Sequence, residues 1–394
     1  MQKDGYFTID RKGKVKMEPI YLDYNATTPI AREVAEAMQP YLYGYFGNPS
    51  SSHLFGVQAK MAVELARKQV ADCLGAQPGE IIFTSGGTEA NNQAIRGYGW
   101  QHKGQGKHII TSAIEHPAVL EVCHFLEMQG FSLTILPVDE MGQVNPVDLE
   151  TAIRDDTVLI SIMYANNEVG TIQRIKDLTE IAKKYQIAFH CDAAQAVGKI
   201  PVKVNDLGVD LLSVAGHKLY APKGIGVLFV REGVELRNLM FGAGHERGKR
   251  PGTENVLEMV GLGKACAVAA RDLEVNQKKM QELRDLLYFE LVEAFGEENL
   301  RLNGHPDQCL PNTLNISIRN VEAHELLNRV NDRLAISAGS ACHADQVSIS
   351  AVLLAMGVPV DWARGALRMS VGRETTAEEI HQAVTILKSE IHPQ

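Results

Sequence analysis

The sequence predicts an α/β domain on a mostly parallel sheet, followed by a smaller α+β domain. Three observations predict it. From about residue 60, short apolar runs alternate with segments of helical periodicity. Thr88, His116, Asn167, Asp192, Gln195, His217 and Lys218 each follow a run that reads as a strand. In parallel sheets ligands bind at the carboxyl ends of strands, so these residues form one candidate site. From about residue 275 the alternation gives way to a long amphipathic helix and a few short strands.

The elements are taken in order. Residues 1–19 are polar and read as an N-terminal extension, a tail in preference to a short hairpin. Residues 61–74 carry helical spacing, and residues 80–84 form a strand leading into Ser85-Gly86-Gly87-Thr88 and a second helix. The run 108–112 is a strand, followed by Glu115-His116 and a helix over 117–129. Strands over 132–138 and 158–163 flank a helix over 146–153, and the second stops before Asn166-Asn167-Glu168. A helix over 177–185 precedes strands over 187–190, 211–214 and 226–230. A long helix over 275–295, strands over 313–318 and 334–337, and a helix over 376–391 complete the pattern. The expected domains are an extension (1–19), a large α/β domain (20–274) and a small α+β domain (275–394). The first residues of the large domain are expected to pack with the small one.

The bulk composition excludes several classes. Of 394 residues, 45% are hydrophobic and 22% charged, which suits a chain with a sizeable core. A net charge of −9 argues against nucleic acid or an acidic membrane surface as partner. No apolar run is long enough to span a bilayer, and Met1-Gln2-Lys3-Asp4-Gly5 does not open a secretory signal. The six cysteines form no C-x-x-C pair, so no metal site is expected, and a reducing cytoplasm is the expected compartment.

Asp192 and Lys218 carry the first chemical argument. An acid ending an apolar strand would be costly to bury unpaired. A lysine after the next strand can form a Schiff base. Together they meet what pyridoxal phosphate (PLP) asks of a protein: a carboxylate for the pyridine nitrogen and an amine for the aldehyde. Lys223 competes with Lys218, but Pro222-Lys223-Gly224 reads as a turn, where lysine is usually solvated. Gly86-Gly87-Thr88 at a helix start could bind a phosphate, or be a plain strand–helix turn. Gln195 could hydrogen-bond the ring's phenolic oxygen. His116 could stack on the ring or be a plain helix N-terminal histidine. Cys342, in Gly339-Ser340-Ala341-Cys342-His343, reads as an exposed thiol on a mobile loop of small residues, or as an incidental surface cysteine. Arg368 between apolar neighbours suits a substrate carboxylate or an internal ion pair.

Nine ordered segments then carry a resemblance: 21–29, 47–51, 84–89, 166–168, 192–195, 216–218, 250–255, 339–342 and 368–373. From about Tyr21 onward the chain resembles the cysteine desulfurases, the NifS/IscS-like branch of class V, fold type I PLP-dependent transferases (aspartate aminotransferase-like). The resemblance implies a homodimer. It implies that Lys218 holds PLP, Asp192 pairs with the ring nitrogen, Gln195 contacts the ring oxygen and His116 stacks on the ring. Gly87, Thr88 and His217 would bind the phosphate, joined by Thr253 from the other subunit. Asn167 and Arg368 would hold the carboxylate of L-cysteine. Cys342 would take its sulfur as a persulfide, release L-alanine and pass the sulfur to an acceptor protein for iron–sulfur clusters or thio-cofactors. Two features depart from the pattern. Many members have serine where this chain has Ala215. The stretch after Cys342 is similar to the selenocysteine lyases, the alternative reading, whereas Pro117 after His116 is as in many desulfurases.

Overall fold

A parallel strand buried on both faces reads as an unbroken apolar run, and runs of this kind build the central sheet. The computed structural model describes residues 8–9, 15–16, 19–338 and 349–391. The chain divides into two units. The larger holds residues 27–167 and 171–275; the smaller holds residues up to Ala26, Glu168–Gly170, and Asn276 onward.

The sheet of the larger unit has seven strands: β1 (Ile81–Thr84), β2 (His108–Ser112), β3 (Ser132–Leu136), β4 (Thr157–Ser161), β5 (Ala188–Asp192), β6 (Leu211–Ala215) and β7 (Gly226–Val230). Their order is β1-β7-β6-β5-β4-β2-β3. Strands β2 to β6 run parallel, and β7 is antiparallel to both β6 and β1. Strand β1 therefore points the same way as β2 to β6. The carboxyl ends of β1, β2, β4, β5 and β6 lie along one edge. The helices Gly87–His102 and Pro117–Met128 contribute Ile95 and Leu126 to a core with Ile109, Leu159, Leu211 and Leu228.

Two helices differ from expectation. The helix expected from residue 61 runs Leu54–Leu74. Ala59, Ala62, Val63, Ala66, Val70 and Leu74 line its buried face, while Leu54, Val57 and Met61 are exposed, so at its start the apolar residues do not report the core. His53 Nδ1 accepts the Gly56 N–H and caps its start, and Gly75 at φ +68° ends it. The long helix expected from 275 begins at Val256 and runs 40 residues to Phe295. Its first half carries Gly261 and Gly263, which weaken the helix signal. Close packing explains the glycines. A Cβ at Gly263 would come 2.6 Å from Ala66 Cα, and one at Gly261 would come 2.7 Å from Met38 Sδ.

In the smaller unit, Leu300–Leu302, Thr313–Ile318 and Ala366–Ser370 form an antiparallel sheet. Leu287, Leu291, Ile316, Leu326, Leu367 and Leu387 form its core. Ile20–Tyr21 pairs in parallel with Leu334–Ala335, where the expected strand is shorter by two residues. Thr8–Ile9 pairs antiparallel with Val15–Lys16.

Candidate active site

The residues singled out after strand ends converge because their strands are parallel. Behind β1, Gly86 takes φ +153° with ψ −179°, a conformation essentially confined to glycine. It opens the helix Gly87–His102, whose first N–H groups are free for an anion. A side chain at Gly87 would be crowded: a Cβ there would lie 3.2 Å from Ala215 Cβ at the end of β6. Thr88 beside it is exposed. Glu89 accepts the Ser85 N–H at 2.8 Å and the Arg250 Nε–H at 2.9 Å.

Asp192 ends β5 and is buried. Its carboxylate accepts from two neutral donors, Asn91 Nδ2 at 2.7 Å and the Ala194 N–H at 2.9 Å. His116 caps the helix Pro117–Met128, and its Nδ1 accepts the Ala118 N–H at 3.0 Å. The proton of the neutral ring is therefore on Nε2. The residue itself is exposed. Burial holds the imidazole below its ordinary basicity, with Asp192 opposing and Lys218 reinforcing the shift. Asp192 and Lys218 thus both act electrostatically on His116.

Glu115, next to His116, is enclosed. Its Oε1 accepts Ser112 Oγ–H at 2.6 Å and the Met163 N–H at 2.9 Å, while Oε2 has no hydrogen-bond partner among the described residues. Burial pushes its pKa up to about 8, against the pull of those two bonds. Asn166 Nδ2 donates to Ile114 O at 3.0 Å, so the loops after β2 and β4 are tied together beside Asn167.

His217 and Lys218 lie on a 3₁₀ turn after β6 and are half-buried, whereas Lys223 is exposed in its turn. Burial and the charges of Lys218 and Lys223 push the His217 pKa down to about 4, so its ring is neutral. Its Nδ1 lies 3.2 Å from Thr27 Oγ1. Thr28 N–H and Oγ–H both donate to His217 O. Gln195 is buried, and its Oε1 accepts Lys199 Nζ at 2.6 Å.

Thr253 is exposed in the segment before the long helix, and its neighbour Arg250 is held by Glu89. Buried Glu246 anchors the same segment by a two-pronged ion pair with Arg67, at 2.8 Å for each bond. Arg368, in the smaller unit, donates through Nη2 to Asp23 Oδ1 at 2.8 Å and exchanges backbone bonds with Ser337. Cys342 lies outside the described residues. The larger unit thus brings together Gly87, Thr88, His116, Asp192, Gln195, His217 and Lys218. Asn91, Glu115, Lys199 and Thr27 escape the sequence reading. Only Asn91 has a local signal, one helical turn beyond Thr88 on the face toward the sheet.

This site, at the switch between helix and strand ends of a parallel sheet, belongs to a known class. Residues 20–383 match the family described as aminotransferase class-V. A protein of Dictyoglomus turgidum described as cysteine desulfurase IscS is 48% identical over 370 residues, 94% of this chain and 93% of its own. One of the same description from Methanosarcina thermophila is 48% identical over 93% of this chain and 91% of its own. Among solved structures, a NifS-like protein superposes with a TM-score of 0.89 at 38% identity, covering 95% of this chain and 99% of its own. One described as SspA in complex with cysteine gives 0.80 at 38% identity, covering 90% of this chain and 99% of its own. The chain belongs to the class-V aminotransferases and, within them, to the cysteine desulfurase family of IscS and NifS-like proteins.

Proposed function

We infer that this protein is a cysteine desulfurase that uses PLP to move sulfur from L-cysteine onto Cys342. The observation that carries the reading is Asp192 and Lys218 on adjacent parallel strand ends, both acting on His116, in a chain nearly half identical to cysteine desulfurases. The same identity favours cysteine over selenocysteine as substrate.

The residues present fit the cofactor. Asp192 is a buried carboxylate that accepts, among the described residues, from the neutral donors Asn91 and Ala194, which suits a cationic ring nitrogen. Gly87, free of a Cβ that Ala215 would crowd, suits a phosphate at the helix start. Lys218 would hold the cofactor, Gln195 its phenolic oxygen, and Gly87, Thr88, His217 and the partner's equivalent of Thr253 its phosphate. When bound, PLP withdraws electrons from the substrate's Cα and so weakens the hold of carbon on sulfur.

The chain's own groups do the rest. Asn167 and Arg368 bind the substrate carboxylate, Arg368 through its planar guanidinium fork. His116 covers the ring and offers Nε2–H as its only donor. Lys218, as a free amine, takes the Cα proton. Cys342 thiolate attacks the substrate sulfur: an S–S bond forms, the C–S bond breaks, and the carbon takes a proton to leave as alanine. The persulfide then passes to an acceptor protein.

The homodimer reading draws support from an exposed apolar surface. Leu42, Tyr43, Phe46, Leu54, Met61 and Leu65, close together in the chain, are all more than half exposed, which suits burial against a second subunit. The cytoplasmic reading draws support from five free thiols among the described residues. Among the described residues no helix is long and apolar enough to cross a membrane.

The test is incubation with L-cysteine, with alanine counted and Cys342 examined by mass spectrometry. Alanine release with an added sulfur on Cys342 is expected, and Cys342→Ala should abolish turnover. Undiminished alanine formation by that variant would overturn the persulfide route.

A further inference from the structure

Lys199 is buried and has no part in the chemistry above. It follows Gly198, whose φ of +81° turns the chain after β5 back on itself. A Cβ on Gly198 would lie 3.3 Å from Leu219 Cβ, so the turn is also tightly packed. The result sets Lys199 Nζ 2.6 Å from Gln195 Oε1.

The chemistry of this contact has a direction. An ammonium has only donors, so the atom of Gln195 that meets it must be the amide oxygen. The other end of the amide is then the NH₂, which can only donate. A primary amide with neutral neighbours can flip and offer either C=O or N–H to a ligand. Beside an ammonium the flipped form would set N–H against N–H.

We propose that Lys199 is a positioning residue: it locks the Gln195 amide so that N–H, never C=O, faces the phenolic oxygen of the cofactor. The inference rests on the PLP reading of the site. It explains why a buried lysine is kept one turn beyond Gln195. It also gives the site a polarity, with an acceptor (Asp192) for the ring's N–H and a fixed donor (Gln195) for its oxygen.

The test compares wild type, Lys199→Met, Lys199→Arg, Gln195→Ala and the Met/Ala double variant. Two quantities are read on apoprotein reconstituted with PLP: the dissociation constant, and the pH at which the visible band of bound cofactor is half lost. Loss of one oriented hydrogen bond should weaken binding about tenfold in Lys199→Met and in Gln195→Ala alike. A donor withdrawn from the phenolic oxygen leaves that oxygen more basic, so the pH midpoint should rise in both. The double variant should match Gln195→Ala within about twofold, because the two residues act as one unit. Lys199→Arg keeps a donor and should stay near wild type. Should Lys199→Met fail to fold, judged by the apoprotein's melting, Lys199→Leu replaces it and should shift both readouts in the same direction. An unchanged midpoint and affinity in the Lys199 variants overturns the proposal. So does an effect that persists in full when Gln195 is already alanine. If wild type takes up no PLP, the cofactor reading itself has failed, a result obtained before any variant is compared.

Discussion

Asn91 Nδ2 donates to Asp192 Oδ2 across 2.7 Å, in a contact closed to solvent. The bond joins the helix behind β1 to the end of β5, two elements far apart in the chain. It is a charge-assisted bond, and its loss would leave a buried carboxylate short of a partner. Asn91→Ala should therefore lower stability by about 1–3 kcal/mol. PLP affinity should fall with it. Denaturant unfolding and cofactor titration check both, and wild-type values in each would show that Asp192 does not depend on Asn91.

Glu115 should make stability depend on pH. Its carboxyl titrates at about 8 in the folded protein because burial opposes its charge; unfolded it titrates near the ordinary 4.5. Between those values the native state binds more protons than the unfolded one. Stability from this group is thus full at low pH and is lost as pH rises through the window. Glu115→Gln removes the proton but keeps the shape. Its stability relative to wild type should rise by a few kcal/mol between about pH 5 and pH 8. Parallel curves for the two proteins across that range would contradict a neutral buried Glu115.

Ala215 can be tested by adding what it lacks. Its Cβ faces the glycine that opens the helix Gly87–His102. A serine there would bring a hydroxyl to the mouth of the cradle. Ala215→Ser should bind PLP more tightly, by about tenfold or more, the worth of one hydrogen bond to a charged group. Weaker binding would mean that the hydroxyl is crowded by Gly87 or turned away.

The Arg67–Glu246 pair should be a structural requirement. Both side chains are buried, and Glu246 also accepts the Phe83 N–H at 2.9 Å while adopting φ +46°. Arg67→Met leaves that carboxylate unpaired, and a cost of about 3–5 kcal/mol follows. Urea unfolding checks it. A cost under about 1 kcal/mol would show that Glu246 finds another partner or takes up a proton.

Much of the large domain was legible. Buried parallel strands need continuous apolar runs, so β1, β2, β4, β5, β6 and β7 announce themselves. The helix starts at Leu54 and Val256 were not legible, for opposite reasons. The first carries apolar side chains that face outward, and the second carries glycines whose purpose is contact with another segment. At the site, Asp192 and Lys218 were visible as charges interrupting apolar strands. Lys199, Glu115 and Thr27 were not, since each matters through a partner brought to it by the fold.

By itself the sequence determined the α/β class, the strand-end location of the chemistry and, through Asp192 and Lys218, the ligand proposed for it. These follow from local rules: burial on both faces, helix N-termini, and the cost of an unpaired charge in an apolar run. Tertiary structure alone decided the protonation and orientation of the groups. It put Ala118 N–H on His116 Nδ1, Asn91 on Asp192, Lys199 on Gln195, and enclosed Glu115 until its carboxyl holds a proton. Desolvation and hydrogen-bond direction depend on neighbours in space, and no spacing along the chain encodes them.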